Sequence, residues 1–430
     1  MPTTSPFARH WLLDPTLDHL NHGSFGACPI PVLHAQSRYR ERMEAEAVRY
    51  FVQDFDSLMD NARRELAAFV NCPPGDLAFI TNATVAVATA LENEAAQGRL
   101  GPGDEVIASD HEYPACLNNL RRLCARIGAV PVMADIPFPI ASPDHAVEAM
   151  VDRVTPRTRL ALVSHVTSPS GLVLPIARII RELESRGVRT IVDAAHAPGF
   201  TEGDLADLAP AYYAANAHKW LCSPKGSGML YVRPDLQENF RPLVLSNSAE
   251  KPRPGRSRFL TEFDYIGTAD HSAFLAVPDA LAFMGTILED PASSERSTTR
   301  ARPTPDRIRA GFAELRRRNR ELVLQGRDVI CRALGVHPPA PDSMIGCLAA
   351  IFLPSHDPAR HARLAARPSA YHDALQDAII NTHRIQVPIW SVPNRPGRLV
   401  RLSAQVYNST DQYERLAAAI AHEIDIERTL

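Results

Sequence analysis

The segments TIVDAAH, residues 190–196, and ANAHKWLCSPKGSG, residues 215–228, decide how this chain is read. Each opens on a short apolar run and ends in side chains capable of chemistry: Asp193 and His196 in the first, His218 and Lys219 in the second. Apolar runs without strict alternation predict strands buried on both faces, the pattern of a parallel sheet covered by helices. In open sheets of that kind, ligand chemistry collects at the carboxyl ends of the strands, where these residues stand.

The alternation continues outward from this pair. VIAS (106–109), VPVMA (130–134), LALVSH (160–165), YYAANA (212–217) and GMLYV (228–232) read as strands separated by helix-like stretches. Residues 75–235 therefore predict an α/β fold with a mostly parallel central sheet. At 291–305, PASSERSTTRARPTP replaces apolar periodicity with Pro, Ser and Thr and marks a domain junction. Beyond it the pattern predicts a long amphipathic helix over 305–334, the strand CLAAIFL, a helix near 370–379, the strand LVRLSAQ and a last helix from about 410. The expected division is an N-terminal arm (1–45), a large domain (46–295) and a smaller α+β C-terminal domain (296–430).

A chain of 430 residues exceeds what one hydrophobic core serves, and 45% hydrophobic content fills two. A net charge of −3 gives no basic field for nucleic acid, and the run Arg316, Arg317, Arg318, Arg320 reads as a solvated helix face. Seven cysteines without a Cys-x-x-Cys pair argue against a disulfide framework and a zinc ribbon, and no metal site is expected. A reducing, cytoplasmic home follows, with no membrane partner, because no stretch approaches the ~20 apolar residues a spanning helix needs. No Gly-x-Gly-x-x-Gly follows a predicted strand, and Walker, Gly-x-Ser-x-Gly and His-Glu-x-x-His motifs are missing, which sets aside nicotinamide dehydrogenases and several hydrolase classes.

Lys219, just past a strand, is placed to be partly desolvated, and desolvation favours the neutral amine that condenses with an aldehyde. Pyridoxal 5'-phosphate (PLP) offers that aldehyde, and it needs a carboxylate against its ring nitrogen, for which Asp193 is the candidate. A phosphate needs a cradle: TNATVAVATAL, residues 81–91, sets Asn82 and Thr84 ahead of a clean helical run. In DHEYP, His111 and Tyr113 follow the strand VIAS, where a flat ring can stack on a cofactor. Each signal alone has a plain structural reading, as a surface lysine, a helix cap or a loop aromatic. Their order along the chain is what speaks for a site.

That order resembles fold type I PLP-dependent transferases of the class V aminotransferase family. LNHGSFGACP (20–29), DHEYPACLNN (110–119), SHVTSPSGLVLP (164–175), VDAAHAPG (192–199), NAHKWLCSPKGSG (216–228) and VRLSAQVYN (400–408) are most similar to isopenicillin N epimerase and its homologues. The resemblance makes Lys219 the Schiff-base lysine and Asp193 the pyridinium partner, and sets His196 with Thr167 or Ser168 near the ring hydroxyl. Ala83, Thr84, Asn216 and His218 match phosphate contacts. His111 takes the stacking place, with Tyr113 competing for it. Gly267-Thr268 in FDYIGTAD fits a pair that crosses from a partner subunit, which implies a homodimer with shared active sites. Arg401 matches the arginine that grips a substrate carboxylate, and its forked guanidinium suits that task. Asn21, His22, Ser24, Tyr50, Phe51 and the 256–259 loop are further candidates for the substrate pocket.

The implied function is isopenicillin-N-epimerase-like chemistry at the Cα of an amino acid or related small molecule, with Lys219 as base and His111 or Tyr113 supplying a proton on the opposite face. C–S lyase, β-elimination or oxidative deamination in natural-product biosynthesis is the alternative; an aminotransferase or an inactive PLP-fold protein ranks behind. Cys331, inside a predicted helix, and Cys347, starting a strand, both read as structural, so persulfide chemistry is not expected.

Overall fold

The computed structural model describes residues 5–250, 253, 255–289, 302–354, 358–391 and 397–429. Most of the predicted junction at 291–305 lies outside them.

Seven strands form the main sheet: β1 Leu77–Ile80, β2 Glu105–Ser109, β3 Val130–Ala134, β4 Thr158–Ser164, β5 Arg189–Ala194, β6 Tyr212–Asn216 and β7 Gly228–Val232. Their spatial order is β1-β7-β6-β5-β4-β2-β3. Strands β3, β2, β4, β5 and β6 pair in parallel, and β7 and β1 close one edge antiparallel. The expected α/β class with a mostly parallel sheet is therefore observed, with two antiparallel strands added. All residues of β2, β6 and β7 are buried, which is why these segments carry no polar alternation.

The C-terminal part contributes β8 Leu348–Phe352, β9 Ile389–Ser391 and β10 Arg398–Ser403, antiparallel in the order β9-β10-β8. Asp18–His19 pairs in parallel with Ile385–Gln386, so the first segment of the chain is hydrogen-bonded to one of the last.

Five helices support the site or brace the chain around it: α1 His22–Phe25, α2 Ala83–Ala96, α3 Pro114–Ile127, α4 Pro305–Leu334 and α5 Thr410–Glu427. Helix α4 starts at a Thr304 side chain that accepts from Arg307 N, has Pro at its first position, and stops at Gly335 with φ of 64°. Its arginine run is not the solvated face the sequence predicts. Arg317 is exposed between Glu314 and Glu321, but Arg318 lies 5.0 Å over the Phe7 ring and Arg320 donates to the carbonyls of Ile345 and Asp342. Guanidiniums that cover an aromatic face and backbone carbonyls here dock the Phe7 segment and the 342–345 turn onto one helix.

Candidate active site

The strand order reverses between β2 and β4, since β2 leads to β3 on one side while β4 leads to β5 and β6 on the other. A crevice opens outside the carboxyl ends at such a point. The loops 110–113 and 165–171 flank it, β5 delivers Asp193, and the turn after β6 delivers Lys219.

Lys219 Nζ lies 3.2 Å from His196 Nε2. Burial, helped by Arg401, pulls the lysine down to about 8, against the pull of Asp193 and Cys116 in the other direction. On its other side His196 accepts from the Trp220 indole, 3.2 Å away at Nδ1, and burial holds it well below the ordinary histidine range. Asp193 is buried, accepting from Ala195 N at 2.9 Å and from the Cys116 thiol at 3.2 Å. Among the described residues no arginine or lysine reaches it within ion-pair distance, and burial raises its pKa. A buried carboxylate without a cation calls for a partner that bears a proton.

Glu112 is a second buried acid beside it. Its oxygens accept from Ser109 Oγ (2.9 Å), Ser164 N (2.8 Å) and Ser164 Oγ (2.6 Å). Burial, with the negative charge of Asp193, pushes it up to about 8. His111 is buried, 2.7 Å from Ser170 Oγ through Nδ1 and edge-on to Phe138, whereas Tyr113 is 45% exposed at the start of α3.

At α2, Asn82 caps the helix by accepting from Val85 N, the role any N-cap asparagine plays. Ala83 N donates to Asn216 Oδ1, so these two candidates satisfy each other in part. Thr84 N–H and hydroxyl make no hydrogen bond among the described residues, and Thr84 is left as the donor pair at this helix end. His218 Nδ1 donates to Ser227 O, leaving Nε2 uncommitted. The Thr167 hydroxyl is held inside its own loop by Ser170 and Leu172.

Arg401, on β10, is buried at 3% exposure. It donates to Ser168 O through Nη1 and to Ser24 Oγ through Nη2 (3.3 Å), and lies 5.1 Å over the Trp390 ring. Its Nε has no partner, and among the described residues no carboxylate faces it. Burial brings even this guanidinium down to about 10. Ser24 is itself held by Asn21, so α1 presents Asn21 and Ser24 beside Arg401.

The arm also reaches the lysine. A Cβ on Gly26, whose φ is +69°, would sit 2.1 Å from His218 O and 2.9 Å from Lys219 Cα, so only glycine permits this approach. His22 departs from its expected place in the substrate pocket. It is fully buried, with Nε2 3.0 Å from Lys219 O and Nδ1 2.8 Å from Tyr407 OH. Because a carbonyl only accepts, Nε2 carries the proton and Nδ1 receives the Tyr407 hydroxyl; His22 is a strut under the lysine turn.

Other candidates join different clusters. Tyr50 is buried without a partner for its hydroxyl and packs on Phe51, which meets Tyr265 and His271. Arg256 is tied to Asp60 and Asp264, and Phe259 fills an apolar cluster with Phe240 and Phe263. Thr268 is exposed, and its hydroxyl pairs with Tyr265 at 2.9 Å rather than with any residue around Lys219.

Glu112, Cys116 and Trp220 are site residues that sequence reading missed. Glu112 sits inside the quoted DHEYP and Trp220 directly follows the lysine, so position was available as a signal; their partners were not.

Known proteins bear on this geometry. The isopenicillin N epimerase of Amycolatopsis lactamdurans is 34% identical over 420 residues, covering 95% of each chain. A putative L-cysteine desulfhydrase 1 of Oryza sativa subsp. japonica is 28% identical over 427 residues, 93% of this chain and 82% of that protein. A solved structure of a C-DES variant, with glycine covalently linked to its PLP cofactor, matches at a TM-score of 0.73 and 19% identity over 96% of this chain and 98% of that one, a likeness of fold. The family model described as Aminotransferase class-V matches residues 26–301, and this chain belongs to the class V aminotransferase family.

Proposed function

We propose that this chain is a PLP enzyme working at the Cα of an amino acid, with epimerisation as its principal reaction. The observation that carries the reading is the gathering, around Lys219, of two buried charges with no ionic partner: Asp193 and Arg401. The donor set fits the cofactor: Asp193 has neutral donors but no cation within ion-pair distance among the described residues, Thr84 and the start of α2 have donors to offer a phosphate, and Lys219 has a lowered pKa.

When bound, PLP supplies an aldehyde carbon for an amine and a ring that draws electrons from the substrate's Cα. Lys219 would hold the cofactor, and Asp193 would hold a proton at its ring nitrogen. Thr84, with the free atoms of Asn216 and His218, would hold the phosphate, and Thr268 from a second copy would complete it in a homodimer. Arg401 forks onto the substrate carboxylate and, with Ser24, fixes the rotation about Cα, which decides the bond that is labilised. Lys219 Nζ then takes the Cα proton. Tyr113, at the mouth, or His111, in the wall, returns one from the other side.

A second reading, C–S lyase chemistry, draws support from the desulfhydrase relative. It would proceed without a persulfide on Cys331 or Cys347, since both are buried and burial raises their thiol pKa values.

The test is to load the purified chain with PLP, confirm the visible band and its fixation on Lys219 by borohydride, and incubate amino acids in deuterated water. Deuterium at Cα with inversion is the expected outcome, lost in Lys219→Ala. Release of pyruvate, ammonia or thiol without inversion assigns the lyase instead, and a protein that takes up no PLP ends both readings.

A further inference from the structure

The residue after the lysine has a job of its own. An indole N–H can only donate, so His196 Nδ1, 3.2 Å from Trp220 Nε1, presents its lone pair. That one bond decides where the imidazole keeps its proton. The Nδ1–H tautomer and the imidazolium both put a hydrogen where Trp220 already points one. The form that remains carries its proton on Nε2, the nitrogen 3.2 Å from Lys219 Nζ. An Nε2–H needs an acceptor, and a neutral amine has a lone pair where an ammonium has none.

We propose that Trp220 is a positioning residue that locks His196 as the Nε2–H tautomer and thereby selects the neutral amine of Lys219 for attack on an aldehyde. In that step the amine nitrogen bonds the aldehyde carbon, and the aldehyde oxygen leaves as water with the two amine hydrogens. The consequence for cofactor capture rests on the PLP reading above; the tautomer lock does not.

The surroundings are consistent with the lock. Lys219 faces Arg401, which opposes its charge, and Asp193 and Cys116, which favour it; His22 and His218 flank His196. With His22 already giving its Nε2 proton to the Lys219 carbonyl, His196 is the imidazole that meets the amine. The indole also has a single seat. It packs edge-on to Phe200 at 4.9 Å and against His22 at 4.8 Å. Two glycines make room: a Cβ on Gly199, whose φ is +84°, would lie 2.9 Å from Trp220 O, and one on Gly346 would lie 2.2 Å from the Phe200 ring.

Two measurements test this. In the wild-type chain labelled with 15N-histidine, NMR should show His196 with an unprotonated Nδ1 and a protonated Nε2 across about pH 6–9; a protonated Nδ1 overturns the proposal without any variant having to fold. The rate at which the visible band grows after PLP is added, followed against pH, is the second. Trp220→Phe keeps a ring but loses the donor, and its midpoint should rise by about one pKa unit, making capture roughly tenfold slower near neutral pH. Phe200→Leu loosens the same packing and keeps the donor, so its midpoint should stay put. An unchanged midpoint in Trp220→Phe, or an equal shift in Phe200→Leu, sinks the lock and leaves the PLP reading standing. A wild type that captures no PLP sinks that reading, and the NMR arm still decides the tautomer.

Discussion

Arg398 and Arg401 stand three positions apart on β10, both 3% exposed, on opposite faces of the strand. Arg398 brings its counterions with it: Glu427 from α5 at 2.9 Å and Asp373 at 3.1 Å, which together raise its pKa against the effect of burial. Arg401 meets a carbonyl, two hydroxyls and an indole face, its Nε is unpaired, and its pKa falls. A buried ion pair completed within the chain holds α5 and the helix N-cap at Asp373 to β10, the middle strand of its sheet. On the proposed reading, the buried guanidinium left incomplete is the receptor for a carboxylate that arrives from outside.

The sharpest way to break this comparison is Arg398→Ala. It leaves Glu427 and Asp373 buried without their cation, and denaturant unfolding should show a loss of about 3–5 kcal/mol. Amino-acid binding by the PLP-loaded protein, read from its spectrum, should hardly change. If stability is untouched, the pair is not structural. Arg401→Lys reverses the pattern, because a point charge replaces a fork. Affinity for an amino acid should fall about a hundredfold, ~2.7 kcal/mol, while the unfolding midpoint stays level or rises. A fall in stability with binding intact would reverse the assignments of the two arginines.

The third effect, the smallest when read per pH unit, extends the contrast to acids. Glu112 has neutral donors and no cation, and its folded pKa of about 8 lies above the ordinary 4.5. Between those values the folded state keeps a proton that the unfolded state has lost. Its stabilising contribution is therefore full below pH 4.5 and disappears as pH rises through about 8, at up to ~1.4 kcal/mol per pH unit. Glu112→Gln keeps the shape and should flatten this slope in melting curves taken across the window. A slope identical to wild type would mean that Glu112 is ionised in the fold.

The contrast also explains what could be read without coordinates. VIAS, LALV and TIVDA announce themselves because burial on both faces leaves an uninterrupted apolar run. The ladder between Asp18–His19 and Ile385–Gln386 is two residues deep, too short for any periodicity. Motif order brought Lys219, Asp193, His196 and Arg401 into one reading, and the geometry gathers them. What stayed hidden depends on partners distant in sequence. Glu112 is an acid in a loop until Ser164 closes on it, Trp220 is an aromatic until His196 turns Nδ1 toward it, and Arg318 is surface charge until Phe7 slides beneath. His22 misled for the same reason: its motif puts it near the site, and only Tyr407 and the Lys219 carbonyl reveal that it props the site from behind.

The arm that carries His22 and Gly26 has a consequence in time as well as in space. His22 N is bonded to Ser403 Oγ, 381 residues later in the chain. A ribosome adding ~5–20 residues per second needs roughly 20–80 s to cover that interval. Once Val232 is made the main sheet can form, while Ser403 and Tyr407, which hold His22 beneath Lys219, are still to come. The cleft is thus closed by the first and last segments together, and the newborn chain holds a folded sheet well before it holds a working site.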